Sequence, residues 1–95
     1  MTGTLSVGFV SPLPPVRSGV ADYAAEILSA LRRLAAVEAY APAEARRATR
    51  GGHDVLVVQI GNDPLHAPSI EALADPARET PAVVVLHDYS LHHLF

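Results

Sequence analysis

Polar residues and glycines follow three of the apolar runs in this sequence, where they could bind a ligand. They occupy Ser11 to Gly19, Gly61 to Asp63, and His87 with Asp88. A glycine lets a ligand approach backbone amides, and a histidine beside a carboxylate can be held in one tautomer for hydrogen bonding. We therefore expect a site for a polar or anionic ligand if the fold brings these three groups together.

The first group lies within a strand, loop and helix that span residues 5–34. Leu5 to Val10 is an apolar run typical of a strand covered on both faces, and Pro12, Pro14 and Pro15 end it. Apolar residues from Val20 to Leu34 recur at three-four spacing, which predicts a helix capped by Ser18 or Gly19. The first-turn amides of such a helix favour phosphate or carboxylate. No established glycine-rich phosphate motif is present, so composition alone favours a role for Gly19 in the turn geometry only.

The rest of the chain continues the alternation of strands and helices. Further strands are predicted at Val37 to Tyr40, Asp54 to Gly61 and Ala82 to Leu86, with a helix at Ser69 to Ala74 that buries Ile70 and Leu73. Ala43 to Gly52 is interpreted as a solvated helical turn or loop whose charged residues lie at the surface, and Tyr40, His53 and His66 as strand-end, loop and turn residues. The pattern predicts an α/β fold with a doubly wound parallel sheet, whose ligands bind at the carboxyl ends of its strands.

Composition limits the possible functions. The 95 residues allow one small domain, and a net charge of -3 without any lysine argues against nucleic-acid partners. Without cysteine, neither disulfides nor thiolate zinc sites can form. Residues 1–4 carry no positive region, and no apolar run approaches the ~20 residues of a membrane span, so we expect a cytoplasmic location.

Three segments together resemble a known enzyme family. Val7 to Ala25 (VGFVSPLPPVRSGVADYAA), Gln59 to Asp63 (QIGND) and Val84 to His93 (VVLHDYSLHH) are similar to the amino-terminal part of retaining GT-B glycosyltransferases of the family-four type. The segments occur in the family's order and cover nearly the whole chain. The resemblance implies a Rossmann-like domain of an enzyme that transfers a sugar from a nucleotide-sugar donor to an acceptor.

The resemblance also implies roles for individual residues. His87 corresponds to a histidine near the transferred sugar, and is the expected catalytic residue. The expected donor-binding residues are Ser18, Gly19, Asn62 and Asp88, and the expected acceptor-side residues are Arg17, Asp22 and Tyr23. The nucleotide-sugar is a co-substrate, and neither a cofactor nor a metal is expected. The donor nucleotide, the sugar and the acceptor are not specified by the sequence.

The chain departs from the family in its length. GT-B enzymes have two Rossmann-like domains, and 95 residues correspond to part of the first, without the carboxyl-terminal donor domain. We therefore expect residues 1–95 alone to be inactive. We also expect self-association through uncovered sheet surface. A peripheral membrane contact could be made only by parts of a longer protein.

Two other functions fit the same residues. A non-catalytic Rossmann-like module could bind a nucleotide or an anion at the same strand ends without turnover. A metal site could use His87, Asp88, His92 and His93. Because the histidine–aspartate pair ends a valine-rich strand, few of these side chains could point the same way, and we predict no metal.

Overall fold

The structure, a computed structural model, describes residues 4–13, 19–61 and 66–86. Strands and helices alternate along the chain. In chain order they are β1 (Ser6–Val10), α1 (Gly19–Leu31), β2 (Ala36–Tyr40), a 3₁₀ turn (Pro42–Glu44), α2 (Ala45–Thr49), β3 (Val55–Ile60), α3 (Ala67–Ala74) and β4 (Ala82–Leu86). The four strands agree with the prediction to within one residue at each end, and β4 has the predicted bounds.

The four strands form one parallel sheet in the order β2-β1-β3-β4. β1 pairs with β2 through Val10 and Tyr40, and with β3 through Val10 and Val58. The chain passes from β1 to β2 on one side and then returns to β3 on the other. The order therefore reverses between β1 and β3, which confirms the predicted α/β parallel sheet and is consistent with a Rossmann-like fold.

Helices cover both faces of the sheet. On the α1 face, Phe9 packs with Ala24 and Leu28 of α1. On the opposite face, which we call the α2/α3 face, buried residues of the strands pack with small residues of α2 and α3: Val10, Tyr40, Leu56, Val58, Ile60, Ala45, Ala48 and Ala72. Side chains alternate between the two faces along each strand, so β1 and β3 contribute to both clusters.

Helix α1 is shorter than the sequence predicted. It ends at Leu31, and the amides of Arg33 and Leu34 bind carbonyls three residues earlier, as in a tight turn. Leu34, predicted to lie on the buried stripe, is 82% exposed. The chain must reverse at this point because the Ala36 amide donates to the Leu5 carbonyl, which begins the pairing of β2 with β1.

The segment predicted as a solvated helical turn or loop contains the short helix α2, and it also contributes to the core. Its arginines are exposed as expected, but Ala45 and Ala48 are buried because they are three residues apart on one helical face. A salt bridge of 3.5 Å joins Arg46 to Asp75. The prediction that the charge run of this segment is solvated surface is therefore confirmed, whereas the burial of its alanines was not predicted.

Helix α3 begins two residues earlier than predicted and is rotated relative to the prediction. Ser69 and Ala72 form its buried face, whereas Ile70, predicted to be buried, is 50% exposed and Leu73 is half-buried. The small side chains let α3 pack closely against α2 and the 3₁₀ turn. Within the described residues, no helix combines the length and apolar character needed to cross a membrane.

Candidate functional site

The carboxyl ends of β1 and β3 meet the beginnings of α1 and α3 at one edge of the sheet. Gly61, directly after β3, lies between these helices. A Cβ added at Gly61 would be 3.3 Å from His66 Nε2 and 3.5 Å from Val20 Cγ2. Because the strand order reverses here, this edge is where a doubly wound sheet usually binds its ligands. We refer to it as the switch-point edge.

The buried polar side chains among the described residues are associated with this edge. They are Ser11, Gln59, His66 and Ser69, each at most 2% exposed. Ser11 follows β1, Gln59 is next to last in β3, and the other two lie at the start of α3. Polar groups are costly to bury unless they are hydrogen-bonded, so their placement at strand and helix ends indicates a polar interior on this side.

Two of these residues, Ser11 and Ser69, differ in their hydrogen bonding. Ser11 donates its amide to the Tyr40 carbonyl at 3.0 Å and its hydroxyl to the Pro12 carbonyl at 2.9 Å. These bonds fix the chain as it leaves β1. The Ser69 hydroxyl is buried and has no hydrogen-bond partner within the described part of the chain.

Helix α1 presents its first turn to the switch-point edge. It begins at Gly19, as the capping prediction implied, and Val20 and Ala21 are buried. The amides of a first turn have no partners within the helix and lie at the positive end of its dipole. Asp22 is exposed and Tyr23 is 49% exposed, so these two of the three predicted acceptor-side residues reach solvent with their side chains.

The other predicted site residues lie outside the described residues: Arg17, Ser18, Asn62, His87 and Asp88. The same is true of His92 and His93, which the metal alternative needed. The strands that precede them are neighbours, and Ile60 pairs with Leu86. The structure therefore aligns the ends of β3 and β4, as the sequence argument required of them.

A second polar group lies on the α2/α3 face and was not predicted. The His53 ring joins two hydroxyls, with Nδ1 at 2.9 Å from Ser6 Oγ and Nε2 at 2.7 Å from the Tyr40 hydroxyl. It lies across Gly8, where an added Cβ would be only 2.7 Å from His53 Cδ2. Gly51 also lies close to this group, since a Cβ added at Gly51 would be 2.7 Å from the Tyr40 hydroxyl.

Charged residues surround the Tyr40 ring. The Arg47 guanidinium lies 5.2 Å from the ring centroid and forms a 2.9 Å ion pair with Glu44. Burial, with a smaller contribution from the Glu38 carboxylate, raises the pKa of the Tyr40 phenol above its ordinary value of about 10. Tyr40 therefore stays protonated and available for the hydrogen bond to His53.

The arrangement around His53 holds elements together. Ser6 begins β1, Tyr40 ends β2, and His53 precedes β3, so one ring links three parts of the sheet. Interpreting Tyr40 and His53 as simple strand-end and loop residues overlooked this link. A signal was available in Gly8, because a glycine inside a strand marks a place where another group approaches the backbone closely. His66, interpreted as a turn residue, is 2% exposed.

Within residues 4–13, 19–61 and 66–86, no group of three or more histidines and acidic residues is arranged to hold a metal ion. The described features of the switch-point edge are therefore helix amides, Gly61 and buried polar side chains, a set suited to a polar or anionic ligand. Comparison with models of protein families, with curated proteins and with solved structures gave no match.

Proposed function

We propose that this chain is part of a nucleotide-sugar-dependent glycosyltransferase and forms the amino-terminal Rossmann-like side of its cleft. The observation that carries the proposal is the start of α1 at Gly19, beside Gly61, where the strand order reverses. Three sequence segments that resemble retaining GT-B enzymes follow or contain the strand ends at this edge. Support from the fold and from the sequence therefore concerns the same region.

Among the described residues, backbone amides rather than side chains would bind the nucleotide-sugar donor. Transfer with retention needs the leaving diphosphate stabilised and the sugar kept oriented, and preorganised amides can do the first. The amides at Gly19 and Val20 are suited to an anion because they begin a helix. The absence of a side chain at Gly61 lets the side chains of Val20 and His66 approach the end of β3 closely.

The resemblance assigns the remaining roles within this proposal. His87 would hydrogen-bond the transferred sugar, and Asp88 and Asn62 would assist on the donor side. Asp22 and Tyr23, which reach solvent on α1, would border the acceptor. A GT-B donor site needs two domains, so residues 1–95 alone should bind a nucleoside diphosphate weakly and transfer no sugar.

Calorimetric titration of the chain with UDP, GDP and ADP tests the binding step. The Gly19→Val variant should bind at least ten-fold more weakly, because a branched side chain would keep the phosphate from the backbone. Ala30→Val is the matched control, since it adds similar bulk to an exposed position at the other end of the same helix. Equal affinities for both variants and the natural chain would contradict the proposal.

A transfer assay on the natural polypeptide that contains these residues separates the enzyme from a non-catalytic module. The proposal predicts sugar transfer from at least one nucleotide-sugar, with loss of transfer in His87→Ala. Binding without turnover in the natural polypeptide would favour the module.

A further inference from the structure

The Ser6 hydroxyl, the His53 ring and the Tyr40 hydroxyl form a hydrogen-bonded series, with separations of 2.9 Å and 2.7 Å. Ser6 begins β1 and His53 precedes β3, so both lie at the end of the sheet away from the switch-point edge. A nucleophile beside a base that a third group orients is the arrangement used in nucleophilic catalysis. The series therefore has the parts of a second chemical site, on residues that the transferase proposal does not use.

The backbone holds the serine and the histidine in register with each other. The Ser6 amide donates to Asp54 Oδ2 at 2.8 Å, and the Asp54 amide donates to the Ser6 carbonyl at 2.8 Å. Asp54 directly follows His53 in the chain, so these two bonds fix the position of the base relative to the nucleophile. The His53 ring lies across Gly8, which has no Cβ to displace it. The geometry needed for proton transfer is therefore set by the fold before any substrate binds.

The Glu38 carboxylate determines where the protons of this series lie. Glu38 is exposed and is on the same face of β2 as Tyr40, two residues away. Burial is the largest cause of the raised Tyr40 pKa, and the charge of Glu38 and a hydrogen bond from the phenol to its carboxylate add to it. A phenol that donates to Glu38 can only accept from His53, so Nε2 carries the proton of the neutral imidazole. Nδ1 is then the acceptor for the Ser6 hydroxyl, as a general base must be.

We propose that Ser6 is a nucleophilic serine that accepts acyl groups from small uncharged esters, with His53 as its general base. Tyr40 and Glu38 are positioning residues, because they hold the imidazole in the tautomer that can take the Ser6 proton. Ser6 and His53 are both only half-buried, which leaves room for a small molecule to approach. The nearby carboxylates of Asp54 and Glu38 disfavour an anionic donor such as a phosphate ester, because like charges repel.

The transfer exchanges one ester for another. Oγ of Ser6 attacks the acyl carbon of the ester while its proton passes to Nδ1 of His53. The bond between the acyl carbon and the leaving oxygen then breaks, and the leaving oxygen keeps the electron pair of that bond. His53 returns the proton to the leaving oxygen, which departs as an alcohol or phenol. Ser6 is left as an acyl ester and His53 as the neutral imidazole, so no further reactant is needed.

Acetylation by p-nitrophenyl acetate tests the proposal, because the chain has no lysine or cysteine side chain to compete for the acetyl group. Mass spectrometry of tryptic peptides follows the acetylation of each serine with time. Ser29 is the internal control, since it is exposed on α1, a helix that contains no histidine. Ser6 should be acetylated at least ~100-fold faster than Ser29, which is the lower end of the usual effect of a general base.

Substitutions separate the base from the residues that position it. His53→Gln should slow the acetylation of Ser6 by about 100-fold. Glu38→Gln should slow it several-fold with a nearly unchanged melting temperature, because Glu38 is exposed, and it decides the question if His53→Gln does not fold. Glu26→Gln, at an exposed carboxylate on α1, is the matched control and should react like the natural chain. Equal rates at Ser6 and Ser29, or an unchanged Ser6 rate in Glu38→Gln, would overturn the proposal.

Discussion

The Tyr40 hydroxyl lies 2.7 Å from Nε2 of His53, and the two rings meet edge to face with centroids 5.6 Å apart. This contact joins the end of β2 to the loop before β3, across the central strand β1. Nδ1 of the same histidine meets Ser6 at the start of β1. The three strands are thus tied by side chains as well as by their backbone ladders.

The contact between Tyr40 and His53 should be measurable as a coupling energy. Tyr40→Phe leaves Nε2 of His53 without its hydroxyl partner, and His53→Ala removes the imidazole ring. We expect each to lower the free energy of unfolding by about 1 to 3 kcal/mol, with a coupling of about 1 kcal/mol. Urea denaturation of both variants and the double variant gives the cycle. Strictly additive effects would show that the contact contributes nothing.

Gly8→Ala should destabilise the fold because its Cβ would lie 2.7 Å from His53 and 2.8 Å from Leu56 Cδ2. Overpacking of this kind costs about 1 to 3 kcal/mol. Gly61→Ala is the milder comparison, since its closest neighbour would be at 3.3 Å. Combining Gly8→Ala with His53→Ala should recover part of the loss. An unchanged melting temperature in Gly8→Ala would contradict the close approach of His53 and Leu56 to Gly8.

Alkaline pH should weaken the fold through Tyr40. Its pKa is raised in the folded state, chiefly by burial, so the folded chain holds the phenolic proton at pH values where the unfolded chain has lost it. This contribution is fully present below about pH 10 and is lost as pH rises through the folded pKa. Urea denaturation at a series of pH values between 8 and 11 should show that the free energy of unfolding falls more steeply with pH for the natural chain than for Tyr40→Phe. Identical slopes would contradict this.

Leu28 and Leu34, both on the apolar stripe predicted for α1, should contribute very differently to the free energy of unfolding. Leu28 is 8% exposed and packs in the α1-face core, whereas Leu34 is 82% exposed beyond the helix end. Leu28→Ala should cost about 2 to 5 kcal/mol and Leu34→Ala less than about 0.5 kcal/mol. Chemical denaturation of the two variants checks this. Similar losses would mean that α1 extends further than Leu31.

Much of the fold follows from local pattern. The valine-rich run in β3 and the run in β4 predict their strands, because short runs of β-branched residues bounded by glycine or proline favour strands. Alternation with helices then implies parallel pairing. The buried face of α2 was not predicted and that of α3 was predicted wrongly, because Ala45 and Ala72 carry too little hydrophobic signal to reveal which face is buried.

The candidate site was predictable in position more than in detail. Strand ends and Gly19 indicate the switch-point edge from the sequence alone. The burial of His66 and Ser69 was not predictable, because it depends on where α3 starts and how it is rotated. Likewise, the link through His53 depends on a contact with Ser6, 47 residues away in sequence, which no local pattern contains.

The central claim, that the switch-point edge binds the diphosphate of a nucleotide, is tested most directly by amide chemical-shift mapping. Titration of the ¹⁵N-labelled chain with UDP and GDP should move the resonances of Gly19, Val20 and Gly61. Gly51 and Gly52, which lie in the turn before β3, are internal controls and should not move. Shifts confined to Gly51 and Gly52, or no shifts with either nucleotide at millimolar concentration, would contradict the account.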